Sequence, residues 1–360
     1  MSNQDVAAHE AEVVGDWANR NEHWIKANSK SPRRRAIRQR VDTPLILCGH
    51  GVSLRINRGT LFIQNGFTHY PQEREEFRYF RGDLDRPSRI IMLDGSGSLS
   101  FDVISWLAEQ NLPLVRIDWQ GNAVSVIGGS GAPFDSGRIQ WQIETRADPV
   151  RRLEFSCGLI ADKIRNSITT LRTALPDAPA RANALWKAEA AIDRLGCGAV
   201  RSVGEVLLIE ARAASAYFTA WRGLPLRWPS KARCPIPDAW RVAGARSAVR
   251  ASRYVTNRHA THPVNAMLNY AYAALCSQVQ MEAVAEGYDP RRGIMHADRE
   301  GVEALVFDLM EPRRPVVDAK VLNFVAHNKI AAGDFLIRED GVCRLAPQLA
   351  RRVCEAVTAA

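Results

Sequence analysis

Four acidic or imidazole side chains, Glu210, His296, Asp308 and Glu311, stand in segments that are otherwise apolar. Their types are those of a divalent-metal site. Glu210 lies in the Ala-rich stretch from Val203 to Trp221, which reads as helix. At 100° per residue its stripe is Val203, Val206/Leu207, Glu210, Ala213/Ala214, Tyr217 and Trp221. A carboxylate in the middle of that stripe is costly to bury unless a metal ion, a cation or several hydrogen bonds meet it. Asp308 and Glu311, three residues apart and followed by Pro312, project from one helix face, with His296 a short loop upstream. Hard divalent ions take oxygen ligands and tolerate an imidazole, so a Glu/His/Glu set suits magnesium or manganese acting on a phosphate. Plainer readings stand beside this one. His296 could be a satisfied core histidine, Glu210 could pair with Arg201 or Arg212, and Asp308 with Glu311 could be a solvated helix end.

These positions are far apart along the chain, so the fold must assemble them. The 360 residues allow two or more domains, and a 46% hydrophobic content supplies sizeable cores. No apolar run of about 18 residues is present and the first residues are polar, so neither a transmembrane helix nor a signal peptide is expected, and a cytoplasmic location is. The seven cysteines form no Cys-x-x-Cys pair, which argues against a zinc ribbon or a disulfide framework.

Net charge is +9, and its distribution is uneven. Between residues 222 and 258 stand nine basic residues against the single acid Asp238. Arg222, Arg227, Lys231, Arg246, Arg250, Arg253 and Arg258 of this segment are the expected DNA contacts. Arg246, Arg250 and Arg253 line one helix face, and Trp228, Trp240 and Tyr254 are interleaved for stacking on splayed bases. The competing reading is a solvated Arg-rich surface.

Residues 1–41 read as a polar, basic extension. From Leu45 the period becomes two, predicting short strands at 45–48, 52–56 and 60–64 joined by Gly-containing turns, a strand at 89–93, a helix from Ser98 or Ser100 to Gln110 and a strand at 113–118. The glycine cluster at 128–137 reads as a linker, because it lacks a Gly-Lys-Ser/Thr or Gly-x-Gly-x-x-Gly context. Beyond it the pattern is helical, with Pro263 opening one helix and Gly287 closing it. The expected fold is α+β: a β-sheet-rich N-terminal domain at 42–132 and an all-α catalytic domain at 133–360.

Three ordered blocks then carry a resemblance: His262-Pro-Val-Asn-Ala-Met-Leu-Asn-Tyr-Ala-Tyr-Ala-Ala-Leu275, Gly287-Tyr-Asp-Pro-Arg-Arg-Gly-Ile-Met-His296 and Phe307-Asp-Leu-Met-Glu-Pro-Arg-Arg-Pro315. With Leu93-Asp-Gly-Ser-Gly-Ser-Leu-Ser-Phe101 and the Ile117-Asp-Trp-Gln-Gly121 turn, they resemble the CRISPR-associated integrase, the Cas-one family, over residues 43–350. The resemblance implies Glu210, His296 and Glu311 as ligands of a Mg or Mn ion, with Asp308 as a supporting catalytic acid that orients water or takes the proton of a 3′-hydroxyl. It also implies a homodimer formed through the β-rich domain, duplex and branched DNA as substrates, and a Cas-two partner. The implied activity is metal-dependent DNA endonuclease and integrase chemistry that inserts short DNA into a CRISPR array by transesterification. The alternatives are a mobile-element integrase, made less favoured by a chain that stops about fifty residues after Glu311, and a non-catalytic DNA-binding scaffold, which intact ligands argue against. Two departures stand out: Arg313 where the family has an aromatic, and His262 where Asn is common.

Overall fold

The computed structural model describes residues 43–67, 74–118, 123–127, 135–229, 234–241, 260–296, 302–339 and 341–358. The expected extension 1–41 and residues 128–134 of the expected linker lie outside them, as do Lys231, Arg246, Arg250, Arg253 and Arg258.

The N-terminal half is a six-stranded mixed sheet of order β3-β2-β1-β4-β5-β6. Its strands are β1 (Leu45–Asn57), β2 (Thr60–Gln64), β3 (Glu76–Tyr79), β4 (Ile90–Leu99), β5 (Leu114–Ile117) and β6 (Ala123–Ile127). The neighbouring pairs β1–β4 and β4–β5 are parallel and the others antiparallel. The period of two sorts side chains to opposite faces. Leu47, Leu54, Ile90 and Leu114 pack with Val103, Trp106 and Leu107 of helix α1 (Phe101–Glu109). Ile46, Cys48, Ile91, Leu93, Val115 and Ile117 face the helical half instead. The strands expected at 45–48 and 52–56 are one strand. Gly49 and Gly51, at φ +89° and +78°, carry the chain through two register shifts without ending the pairing with β4. A side chain at Gly95 on β4 would collide with the Gly49 carbonyl, its Cβ falling 2.1 Å from that oxygen.

The helical half comprises α2 (Ser136–Ala147), α3 (Pro149–Ala174), α4 (Pro179–Gly196), α5 (Val203–Thr219), α6 (Pro263–Ala285), α7 (Ala304–Met310), α8 (Arg314–His327) and α9 (Pro347–Thr358). Its helix starts follow from capping side chains: Asp135 accepts from the amides of Gly137 and Arg138, Asp148 from those of Val150 and Arg151, and Ser202 from Glu205. Helices α3, α4 and α5 share a core of Ile160, Ile164, Ala188, Leu195, Val206 and Ile209. Buried α6 and amphipathic α9 cover the second face of the sheet, with Tyr270, Leu349, Val353 and Cys354 in the same core as Ile46 and Cys48. Two short strands, β7 (Phe335–Ile337) and β8 (Cys343–Leu345), pair antiparallel between α8 and α9. They interrupt the helical pattern expected from residue 137 onward, and at three residues each they are too short for alternation to reveal them. Among the described residues no helix is long and apolar enough to cross a membrane.

Candidate active site

A cavity of about 290 Å³ opens between α3, α4, α5, α8 and the turn before α7, and it is lined by Lys163, Glu210, Tyr217, His296, Glu311 and Asp318 among others. Glu210 sits at the edge of the buried stripe of α5, where Val206, Ile209, Ala213, Ala216 and Tyr217 are buried. Glu311 is carried by a 3-10 turn at Glu311–Arg313, which Pro312 joins to α8. The two carboxylates converge on a single cation. Lys163 Nζ lies 2.6 Å from Glu210 Oε1 and 2.5 Å from Glu311 Oε2, and Arg314 stands 3.4 Å from the other oxygen of Glu311. Burial works against the charge of Glu311, but Arg314, Lys163 and His296 outweigh it and hold this carboxyl below the usual range.

His296 is set by a turn that is gripped on both sides. Fully buried Asp308 accepts from the backbone amides of Ile294, Met295 and His296 at 2.6, 3.0 and 3.0 Å. Arg146 donates to the carbonyls of Gly293 and His296, while Arg152 donates to those of Ile294 and Met295. Gly293 admits no Cβ, which would fall 2.6 Å from that of Ala304. Asp308 Oδ1 also lies 2.6 Å from His296 Nδ1. In the neutral imidazole this fixes the proton on Nδ1 and leaves Nε2 as the free acceptor.

Across the cavity, buried Asp318 of α8 accepts from Tyr217 at 2.9 Å and from Tyr272 at 2.5 Å. Burial, reinforced by the charge of Asp318, pushes the Tyr217 phenol well above its ordinary value, so it remains a donor.

The structure brings Glu210 and Glu311 together and places His296 on the same cavity. Among the described residues, no three acidic, imidazole or thiol side chains meet closely enough to hold a metal ion, and Lys163 stands between the two glutamates. The donor set nevertheless fits a divalent cation: a buried and a half-buried carboxylate already share one positive charge, and an imidazole of fixed tautomer lines the same space. Asp308 has both oxygens occupied by the turn and by His296. Lys163, rather than Arg201 or Arg212, is the partner of Glu210. The sequence held a signal for it, since Lys163 lies on the α3 stripe of Ile160, Ile164, Ser167 and Leu171 that lines the cavity. Arg313 pairs with Glu282. His262 caps α6, its Nδ1 accepting from the Val264 amide and its Nε2 bonded to the Trp240 carbonyl. Of the expected DNA contacts, Arg222 is exposed and Arg227 borders the chain near Ile330, whose amide it accepts.

The family model described as "CRISPR associated protein Cas1" matches residues 45–359. A CRISPR-associated exonuclease Cas4/endonuclease Cas1 fusion from Rhodospirillum rubrum is 30% identical over 74% of this chain, and the match spans 43% of that fusion's length. Among solved structures, a casposase bound to integration product superposes with a TM-score of 0.67 at 23% identity, covering 88% of this chain and 81% of that one. A Cas6–RT–Cas1–Cas2 complex gives 0.63 at 17% identity, covering 88% of this chain and 32% of that one. These two establish the fold. The chain belongs to the Cas1 family of CRISPR-associated proteins.

Proposed function

We propose that this chain is a divalent-metal-dependent DNA endonuclease and integrase that joins short DNA to a CRISPR array by transesterification. The observation that supports this most directly is the convergence of Glu210 and Glu311 on one cation beside His296. Glu210, Glu311 and His296 would hold magnesium or manganese, which supplies positive charge to a phosphate oxygen and to the leaving 3′-oxygen. The chain's own groups do the positioning. Asp308 holds His296 Nδ1 as the donor and directs Nε2 away from itself, a role different from taking the proton of a 3′-hydroxyl. Arg314 keeps Glu311 ionised and adds a second positive charge at the cavity rim. Attack by a DNA 3′-hydroxyl inserts one strand into another, and attack by water nicks.

The segment 222–258 supplies the attraction for the DNA backbone. Its arginines neutralise phosphates and release counterions, so replacing Arg246, Arg250 and Arg253 by Ala flattens the log-log salt slope by roughly two to three units. The sheet-rich half, residues 42–132, mediates a homodimer, and a Cas2-type protein is the natural partner, as in the complex named above. The deciding experiment is strand joining with Glu210→Ala in magnesium and in manganese. The expected result is loss of joining with an unchanged circular-dichroism spectrum, whereas joining at the wild-type rate would refute the site.

A further inference from the structure

Lys163 is the most constrained cation at the site. Its ammonium is held between two carboxylates, at 2.6 and 2.5 Å, with side chains only 17%, 20% and 8% exposed for Lys163, Glu210 and Glu311. Two acids so close and so shielded from water repel each other unless a positive charge sits between them. Helices α3 and α5 and the turn after α7 come from distant parts of the chain, and Lys163 Nζ ties all three together. A lysine suits a temporary occupant. Its ammonium is a point charge on a flexible stem, and it leaves without disturbing the backbone.

We propose that Lys163 is the resident counter-cation of the metal-free enzyme and is exchanged for the divalent ion, so that metal binding here is a replacement of one cation by another. The inference rests on Glu210, His296 and Glu311 being the cation site. No covalent bond forms or breaks in the exchange: the two Lys163–carboxylate hydrogen bonds are given up, and Glu210 and Glu311 would turn to the divalent ion as the ammonium swings into the cavity. Two consequences follow. The carboxylates are held on one side of the cavity before metal arrives, and the affinity for metal is lowered by the pairs that must be given up.

Calorimetric titration of full-length protein with Mn²⁺, paired with melting curves in chelator and in Mn²⁺, separates the possibilities. Lys163→Met is expected to melt below wild type in chelator, to gain more from Mn²⁺, and to bind Mn²⁺ about tenfold more tightly. Lys163→Arg, which keeps a cation in place, is expected to bind no more tightly than wild type. If Lys163→Met binds Mn²⁺ no better than wild type, while Glu210→Gln has lost the ion, the exchange is overturned and the cation site stands. If wild type and Glu210→Gln take up Mn²⁺ equally, the site itself is misassigned and the exchange falls with it. Should Lys163→Met fail to fold in chelator, saturating Mn²⁺ restores the fold under the proposal; failure to refold there means that an ion cannot replace the ammonium, which overturns it.

Discussion

Two pairs of acids are held in opposite ways: Glu210, Glu311 and Asp318 line the cavity, and Asp308 lies fully buried behind His296. Glu210 and Glu311 are neutralised by cations on flexible stems, Lys163 and Arg314. Asp308 and Asp318 are held by groups that cannot leave: three backbone amides and a ring nitrogen for the first, two buried phenols for the second. The difference separates work from scaffolding. If Glu210 and Glu311 are the cation ligands proposed above, a carboxylate that accepts a new partner is stored on an exchangeable charge, and one that orients a neighbour is locked by donors belonging to the fold.

The sharpest way to break that contrast is Asp308→Ala, which strands three amides and the imidazole at a fully buried point. We expect a loss of about 3–5 kcal/mol in denaturant unfolding. A loss under about 1 kcal/mol would mean that Arg146 and Arg152 hold the turn without it. Asp318→Asn comes next, because an amide still accepts from one phenol and can donate to the other; about 1–2 kcal/mol is expected by the same measurement. Glu210→Gln tests the exchangeable pair. Lys163 keeps Glu311 and the amide keeps the shape, so stability should fall by no more than about 1 kcal/mol while strand joining is lost. A stability loss matching that of Asp308→Ala would erase the distinction between the two classes.

His262 offers the smallest effect and belongs with the locked groups. Burial holds its pKa below the ordinary imidazole value, only partly opposed by its bond to the Trp240 carbonyl. The unfolded chain therefore takes up the proton first. Stability from this residue is complete above about pH 6.5 and is lost as pH falls from there through the folded value. His262→Asn should flatten that part of the stability–pH curve, as measured by unfolding between pH 7 and 5, and an unchanged slope would show that another group sets it.

Much of the sheet was legible, because alternation at residues 45–64 and 89–118 reports directly on two covered faces. The merging of two expected strands into β1 was not, since Gly49 and Gly51 read locally as turns and only the partner strand β4 shows them to be bulges. Glu210 announced itself as a charge on an apolar stripe. Asp308 and Glu311 share a helix face in projection, yet they serve different neighbours: Asp308 turns to residues 294–296, whereas Glu311 begins a tighter turn at Pro312 and points to Lys163. Lys163 escaped because a lone lysine on a long helix reads as solvated until the acids opposite it are known.

Helix α9 carries a consequence for the order in which the molecule is made. It closes the sheet face that holds Ile46 and Cys48, and Arg351 anchors it to Glu75. Roughly 300 residues of chain separate β1 from this cover, so a ribosome will have released the strands long before their lid exists. During that interval the face of Ile46, Ile91 and Val115 lacks α9 and, until residue 285 is made, α6 as well. The cover is complete only when α9 (Pro347–Thr358) has been made, so a premature stop before α9 should yield an aggregating product instead of a shortened enzyme.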